Sequence, residues 1–249
     1  LQHDHNESRF SFYTLAYLRN LIWTLQSVCK SRPSPQHYFQ PGDRLLELLF
    51  LYYQSIDDIE IIRDISYCFF FAFIASGDMD KIPFLQKLIN RIEKIFIDFP
   101  AANHSSADLV VMFYPILKLL VLIASSDSSH SDLVATNETI FSLVLDLLRK
   151  TSNPSLQAEV LVFFGYGLFR SPLMVIATGV HAIAIELFFT TSKEVVRRKA
   201  LWLLGVLIAD EESSMLLDLQ MVKLHTLTDD VRDRVIPMIL KLVACLRQE

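Results

Sequence analysis

Glycine, cysteine and net positive charge are all scarce in this chain of 249 residues. With only 6 Gly, and with 52% hydrophobic and 20% charged residues, the composition favours a folded domain rich in helix. The 23 Lys and Arg against 28 Asp and Glu give a net charge of −5. No global basic field therefore attracts phosphate backbones, and generic nucleic-acid binding is disfavoured.

The few cysteines and histidines are not arranged as a metal site. Cys29, Cys68 and Cys245 lie far apart inside apolar helical patterns, so we expect buried free thiols. The seven histidines lack the spacing of a metal site, and no glycine-rich phosphate loop or nucleophile elbow is present. Neighbouring Asp57 and Asp58 are explained as a helix start. We therefore predict no enzymatic activity, no cofactor and no metal.

Long uncharged apolar runs are also missing. Lys118 splits one run, while Arg170 and Glu186 bound another, before the roughly 18 residues that a membrane span needs. We interpret these runs as core and expect no membrane contact. The chain begins with Leu1 rather than Met and shows no cleavable leader pattern, so we expect it to be part of a longer protein.

Apolar residues at helical spacing fill the chain between short polar breaks. A polar lead-in is predicted at residues 1–11, and helical segments follow from Phe12 onward. Asp57 and Asp58 suit the start of a helix that Gly77 ends. Nothing alternates with period two for long enough to build a sheet, so the predicted fold class is all-α.

One helix pattern, first seen in LRNLIWTLQSVCK at Leu18–Lys30, returns along the chain. The positions that match Trp23 are Phe69, Leu117, Leu161 and Trp202. They are separated by 41 to 48 residues, close to the roughly 40 to 47 residues of armadillo and HEAT units. This spacing predicts an α-solenoid of about five to six repeats over residues 12–249, with a concave and a convex face.

Three segments resemble importin-alpha in particular. YLRNLIWTLQSVCKSRPSP is similar to its Leu-Arg-Asn-x-x-Trp-Thr-Leu-Ser-Asn core and the loop that follows. EVVRRKALWLLGVLIAD resembles its later repeats, and IATGVHAIAIELFF resembles a link and second helix of the same family. The similarity extends from Tyr17 to about Asp210. It implies a nuclear or cytoplasmic location.

The resemblance also implies a ladder of Trp-x-x-x-Asn on the concave helices, which this chain lacks. Only Trp23 and Trp202 remain of the tryptophans. The asparagine places carry Ser27, Phe73, Val121, Gly165 and Val206. At about 0.5–1.5 kcal/mol for each backbone hydrogen bond, losing five costs about 5 kcal/mol, or about three orders of magnitude in affinity. We predict that ordinary nuclear-localisation peptides bind poorly.

The predicted function is a protein-interaction scaffold that holds a protein, peptide or helix in its concave groove. The expected contact residues are Trp23, Gln26, Ser27, Phe69, Phe73, Val121, Tyr166, Arg198, Trp202 and Val206. Adjacent helical positions point about 100° apart, so at least one phenylalanine in Phe69–Phe73 should face the groove, as should Phe164 or Tyr166. The alternative is that these rings only tighten the core.

Two other functions stay open from the sequence. The chain could remain a nuclear-import adaptor that reads an atypical cargo through Trp23 and Trp202, or it could be an unrelated HEAT-type structural subunit. The partner could also use the convex face or the terminal helices. The basic run Arg197–Lys199 is interpreted either as a solvated helix face or as a small contact for an anion.

Overall fold

The computed structural model describes residues 3–31 and 44–209, and these residues are almost entirely helical. The α-helices in these ranges are α1 His3–Lys30, α2 Arg44–Ser55, α3 Ile59–Ser76, α4 Leu85–Asp98, α5 Ser106–Ala124, α6 Ser129–Ala135, α7 Glu138–Lys150, α8 Pro154–Leu168, α9 Pro172–Ala177, α10 Val180–Thr190 and α11 Glu194–Ala209. Single 3-10 turns occur at Met79–Lys81 and Ala101–Asn103. No strand lies in the described ranges, so the all-α prediction is confirmed there.

The ends of helix α3 follow from its flanking residues. Asp58 precedes the helix, and its carboxylate accepts the backbone amides of Glu60 (3.1 Å) and Ile61 (3.0 Å). Gly77 ends the helix in the left-handed conformation with φ 67°, where a residue without a Cβ avoids strain. Both of these sequence predictions are confirmed.

Other helix boundaries differ from the predicted ones. Helix α1 begins at His3, so residues 3–11 of the expected polar lead-in are helical. The sequence predicts a kink or a helix start near Pro115, but α5 continues through this proline as one helix, with Phe113 and Leu117 on either side of it fully buried. The pair of short helices predicted after Asp210 lies outside the described residues.

The described residues divide into two compact units. The first comprises the chain up to Ser131 without residues 100–102, and the second comprises residues 100–102 and the chain from Asp132 onward. In the first unit α3 packs against α1, α2 and α5; in the second, α8 packs against α7, α9 and α11, and α10 packs against α11.

Aromatic rings fill the core of the first unit. Phe69 lies edge-on to Tyr53 with 5.6 Å between centroids and 5.7 Å from Phe84, which stacks on Phe50 at 4.7 Å. The buried hydroxyl of Tyr53 is 3.1 Å from the Ser66 hydroxyl, so its polar atom is satisfied. Each such ring contributes about 1.5–3 kcal/mol by burial. These contacts fix α2 and α3 against each other.

Arg91 of α4 is a buried charge that ties α4 to the end of α2. Its Nε donates to the carbonyl of Tyr53 at 3.0 Å, and its Nη2 donates to the carbonyl of Ile56 at 2.7 Å. The same Nη2 reaches the Asp57 carboxylate at 3.1 Å. The guanidinium thus caps carbonyls that a helix leaves without partners at its C-terminus.

Two of the three cysteines meet where α1 packs on α3. Cys29 and Cys68 are both buried and carry free thiols. The neighbouring Cys29 thiol and burial together raise the pKa of Cys68. The expectation of buried free thiols is confirmed for these two, while Cys245 lies outside the described residues.

The second unit has its own aromatic core. Phe141 of α7 lies 5.1 Å from Phe163 and 5.4 Å from Phe164 of α8, measured between ring centroids. The phenylalanine at 141 also lies against Gly167, where a Cβ would overlap its ring. The ring of Phe141 therefore packs α7 against α8, and Gly167 leaves the space that this ring needs.

Helix α5 is the one helix among those described that is long and apolar enough to cross a membrane. Its 19 residues meet the length and composition requirement, and 56% of the apolar window is buried within the protein. It also packs directly against α3. A buried core helix meets the same requirement, so length and composition do not by themselves indicate a span.

The helices that carry the repeated sequence pattern pack on one another within each unit. Trp23 and the four positions matched to it lie on α1, α3, α5, α8 and α11. In the first unit α3 contacts both α1 and α5, and in the second α8 contacts α11. Successive copies of the pattern are thus neighbours inside each unit.

Candidate functional site

Phe69 and Phe73 of α3 do not form a surface. Their exposed fractions are 0% and 1%, and their rings are stacked 5.8 Å apart in the core. The prediction that these two side chains contact a partner is therefore wrong for this structure, because neither reaches solvent. Phe164 is likewise fully buried. The repeat alignment indicated that the face of α3 with Phe69 and Phe73 reaches the surface, but in the structure a different face of α3 does so.

Five of the residues of α3 and α5 that reach the surface form an aromatic face with a lysine. This α3–α5 aromatic face consists of Tyr67, Phe70, Phe71, Tyr114 and Lys118, all of them half-buried. Phe71 stacks on Tyr67 at 6.3 Å between centroids and meets Phe70 edge-on at 5.3 Å. Phe70 and Phe71 are the phenylalanines of Phe69–Phe73 that turn partly to the surface. That one of them faces a concave groove stays a prediction.

Lys118 joins the two helices of this face. Its Nζ lies 5.8 Å from the ring centroid of Phe70 and 5.1 Å from that of Tyr114. Burial raises the pKa of Tyr67, the neighbouring Tyr114 adds to the rise, and Lys118 opposes it. The Tyr67 hydroxyl therefore stays protonated and can donate a hydrogen bond at neutral pH.

The predicted contact residues on α1 have mixed exposure. The indole of Trp23 is 58% exposed. Gln26 is half-buried, and the exposed Ser27 donates its hydroxyl to the carbonyl of Trp23 at 2.9 Å. Because Ser27 is bonded to its own helix, it does not project an amide-like group as an asparagine would.

In the second unit Trp202 of α11 lies on the backbone of α8. A Cβ at Gly165 would overlap the indole, so the absence of a side chain there lets the ring approach. Tyr166 meets the indole edge-on at 5.7 Å between centroids, and Phe169 lies 6.4 Å from Tyr166. Lys199 places its Nζ 5.7 Å from the indole centroid. Tyr166, Phe169, Lys199 and Trp202 form the α8–α11 aromatic face.

The remaining predicted contacts lie on the same helices. Arg198 is exposed and pairs with Glu194 of its own helix, with 3.2 Å between Nε and Oε1. Val206 of α11 and Val121 of α5 are half-buried. Two pairs among the ten predicted contact residues are in ring contact: Phe69 and Phe73 in the core, and Tyr166 and Trp202, which are both partly exposed.

Sequence reasoning missed the α3–α5 aromatic face, although a signal for it exists. Tyr67 and Tyr114 are the tyrosines of two otherwise strongly apolar helices, and Lys118 follows Tyr114 by one helical turn. A polar atom on an apolar helix tends to point to solvent. These three residues therefore marked the surface side better than the repeat alignment did.

The acidic residues near α3 have structural contacts. Asp58 caps α3 and pairs with Arg19 of α1. Burial would raise the pKa of Asp58, but the hydrogen bond from Arg19 and the two helix amides outweigh it, so the pKa is lowered. Within the described ranges no group of three or more His, Cys, Asp or Glu could hold a metal ion.

Comparison of the chain with family models, with curated proteins and with solved structures found no match. The likeness to importin-alpha therefore depends on the sequence segments alone.

Proposed function

We propose that this chain is a non-enzymatic protein-interaction scaffold, built on an importin-alpha-like armadillo solenoid that has lost the asparagine ladder for nuclear-localisation peptides. It acts in the nucleus or the cytoplasm. The observation that carries the proposal is the packing of Trp202 against Gly165.

Gly165 occupies one of the places where the resemblance calls for a ladder asparagine. The indole of Trp202 lies where the first carbon of that side chain would stand. An amide could enter only if the indole moved away. This supports the loss of the ladder, because a single substitution would not restore the asparagine in its working position.

The surfaces that remain have the composition of protein contacts. Tyr, Trp and Phe are enriched in interfaces, where they bury large areas at small conformational cost. The α3–α5 aromatic face offers four rings and a lysine, and the α8–α11 aromatic face offers three rings and a lysine. Apolar surface of this kind usually marks a binding site.

The packing of successive pattern-bearing helices supports the solenoid interpretation. In stacked repeats each unit buries one side against the next. The contacts of α3 with α1 and α5, and of α8 with α11, are of this type. A HEAT-type structural subunit has the same contacts, so the choice between the two depends on the importin-like segments.

One observation favours the import-adaptor alternative. Trp23 is 58% exposed, so its indole is accessible to the stem of a cargo lysine. At Trp202, in contrast, the chain's own Lys199 already lies over the indole. An adaptor would therefore read its cargo through one tryptophan rather than two.

Retention of proteins from a nuclear extract tests the proposal. The immobilised chain is compared with a Tyr67→Ser/Phe71→Ser variant, and with Tyr52→Ser as the matched control on an exposed tyrosine of α2. We expect a defined set of proteins to be lost from the face variant and kept by the control. Equal retention by all three chains would contradict the proposal.

Competition with a basic nuclear-localisation peptide separates the scaffold from the adaptor. A scaffold without the ladder should keep its proteins when the peptide is added. Displacement by the peptide, or direct binding of the peptide at about micromolar Kd, equivalent to about 8 kcal/mol, would favour the adaptor.

A further inference from the structure

A positive surface lies at the start of α11, in a chain that is acidic overall. The stretch Val180–Ala209 contains four basic and two acidic residues, whereas the whole chain carries a net charge of −5. Arg197 and Arg198 are exposed and Lys199 is half-buried. Glu194 is the carboxylate that pairs with Arg198, on the same helix.

The basic side chains are attached to aromatic rings. The guanidinium of Arg197 lies 5.7 Å from the ring centroid of Phe188 on α10, and Lys199 lies over Trp202 at the same distance. Phe189, which is 43% exposed, meets Phe188 edge-on at 5.0 Å. Ring contacts of this kind hold a long cationic side chain in place, which lowers the entropy lost on binding. Arg197, Phe188 and Phe189 thus form one surface beside Arg198, whereas Lys199 and Trp202 lie on the side of α11 that packs on α8.

The charge of this surface selects the class of partner. A basic segment would meet Arg197 and Arg198 with repulsion, whereas an acidic segment would form ion pairs with them. The adjacent rings of Phe188 and Phe189 would then be covered by apolar side chains of the same segment. The phosphates of a nucleic acid could also form ion pairs with these arginines, but the net charge of −5 disfavours nucleic-acid binding by the chain.

We propose that this surface, formed by Phe188, Phe189, Arg197 and Arg198, binds an acidic segment of a partner protein that also carries apolar residues. The inference rests on the proposed scaffold function and specifies the chemistry of one partner segment. It is opposite in sign to the basic peptides that the resemblance implies for importin-alpha.

A fluorescein-labelled amphipathic peptide made of Glu and Leu is the probe, and its anisotropy is followed on titration with the full chain. The test variant is Arg197→Glu/Arg198→Glu, with Arg197→Gln/Arg198→Gln as a milder form. The matched control is Arg149→Glu/Lys150→Glu, which makes the same charge change on α7 of the same unit. Circular dichroism shows whether each variant keeps its helices.

We expect saturable binding that the glutamate variant weakens by about tenfold or more and the glutamine variant by a few fold. The control should change the Kd by less than about twofold, and added salt should weaken binding because the pairs are exposed. Phe189→Ser should also weaken binding, with the helical signal unchanged. The matching peptide of Lys and Leu should bind more weakly than the acidic one.

Three outcomes would overturn the inference: no saturable binding of the acidic peptide, equal loss in the α7 control, or tighter binding of the Lys and Leu peptide. Tighter binding of a mixed-sequence oligonucleotide at the same residues would overturn it in favour of nucleic acid. The scaffold proposal is judged separately, because its test uses Tyr67 and Phe71 of the first unit. Proteins lost from that variant would uphold the scaffold even when the acidic peptide fails to bind.

Discussion

The α3–α5 aromatic face and the α8–α11 aromatic face reach similar chemistry by different packing. In the first, Tyr67, Phe70 and Phe71 come from adjacent turns of one helix, and Lys118 reaches over from the next helix. In the second, the indole of Trp202 lies on a glycine of the neighbouring helix. The first face is formed by rings that contact one another along a single helix. The second is formed because a glycine, which has no side chain, lets an indole approach the helix backbone.

This difference shows that a place in the repeat does not determine exposure. Phe69 and Trp202 hold matching places in the repeated pattern, yet Phe69 is fully buried and Trp202 is partly exposed. Phe69 has Tyr53 and Phe84 around it, whereas Trp202 rests on Gly165 at the edge of its helix pair. The neighbours of each ring therefore decide which copies of the sequence pattern present a surface.

The largest expected effect separates the two sides of α3. Phe69→Ala should lower the free energy of unfolding by about 3–5 kcal/mol, because it leaves a cavity among buried rings. Phe71→Ala, two residues away on the half-buried side, should lower it by less than about 1 kcal/mol. Urea unfolding followed by circular dichroism measures both. Similar losses for the two variants would contradict the assignment of core and surface on α3.

The next effect tests how the second face is built. Gly165→Ala should lower the free energy of unfolding by about 1–3 kcal/mol, because the new methyl group overlaps the indole of Trp202. The gain in helix propensity, about 1 kcal/mol, is too small to reverse this. In a Trp202→Ala background the same change should be neutral or stabilising. Additive losses in the double variant would show that the two residues do not interact.

The first face also depends on where α3 begins. Asp58→Ala should cost about 1–2 kcal/mol, because it removes the cap of α3 and the partner of Arg19. The pKa of Asp58 is lowered in the folded state, so its contribution is present above the unfolded pKa of about 3.9 and is lost as the pH falls through the folded value. Unfolding curves from neutral pH down to about pH 3 measure this.

Asp58→Asn is the matched control for the pH series. Asparagine caps helices about as well as aspartate but has no charge to lose at low pH. We expect this variant to keep α3 at neutral pH and to show a smaller loss of stability on acidification. A pH dependence identical to that of the unsubstituted chain would show that Asp58 is not the group that titrates.

The smallest expected effect concerns the lysine of the second face. Lys199→Gln should lower the free energy of unfolding by about 0.5–1 kcal/mol, because it removes the cation over Trp202. Indole fluorescence should shift at the same time, since the charge next to the ring is lost. Unchanged stability and fluorescence would show that Lys199 has no stabilising interaction with the indole of Trp202.

Helix positions and capping could be predicted from this sequence, whereas the rotation of α3 could not. Asp58 and Gly77 act through the backbone next to them, so the local sequence is sufficient. All five residues from Phe69 to Phe73 are apolar, so helical periodicity does not indicate which side of the helix is buried there. The tyrosine hydroxyl at 67 was the local sign of the outer side.

The contact between Gly165 and Trp202 lay beyond local reasoning. A glycine inside an apolar helix indicates a close approach without naming the partner, and these two residues come from different helices that only the tertiary fold brings together. The hydrogen bonds of Arg91 could not be predicted either. Its partners Tyr53 and Ile56 precede α3 in the sequence, whereas Arg91 follows it.

Site-specific photo-crosslinking tests the central claim, that the aromatic faces contact other proteins, most directly. The photoreactive analogue p-benzoylphenylalanine replaces Phe71, Phe169 or, as a control, Tyr52, one at a time, and each chain is irradiated in a nuclear extract. The account predicts covalent adducts with other proteins from positions 71 and 169 and none above background from position 52. Adducts from position 52 alone, or equal adducts from all three positions, would contradict it.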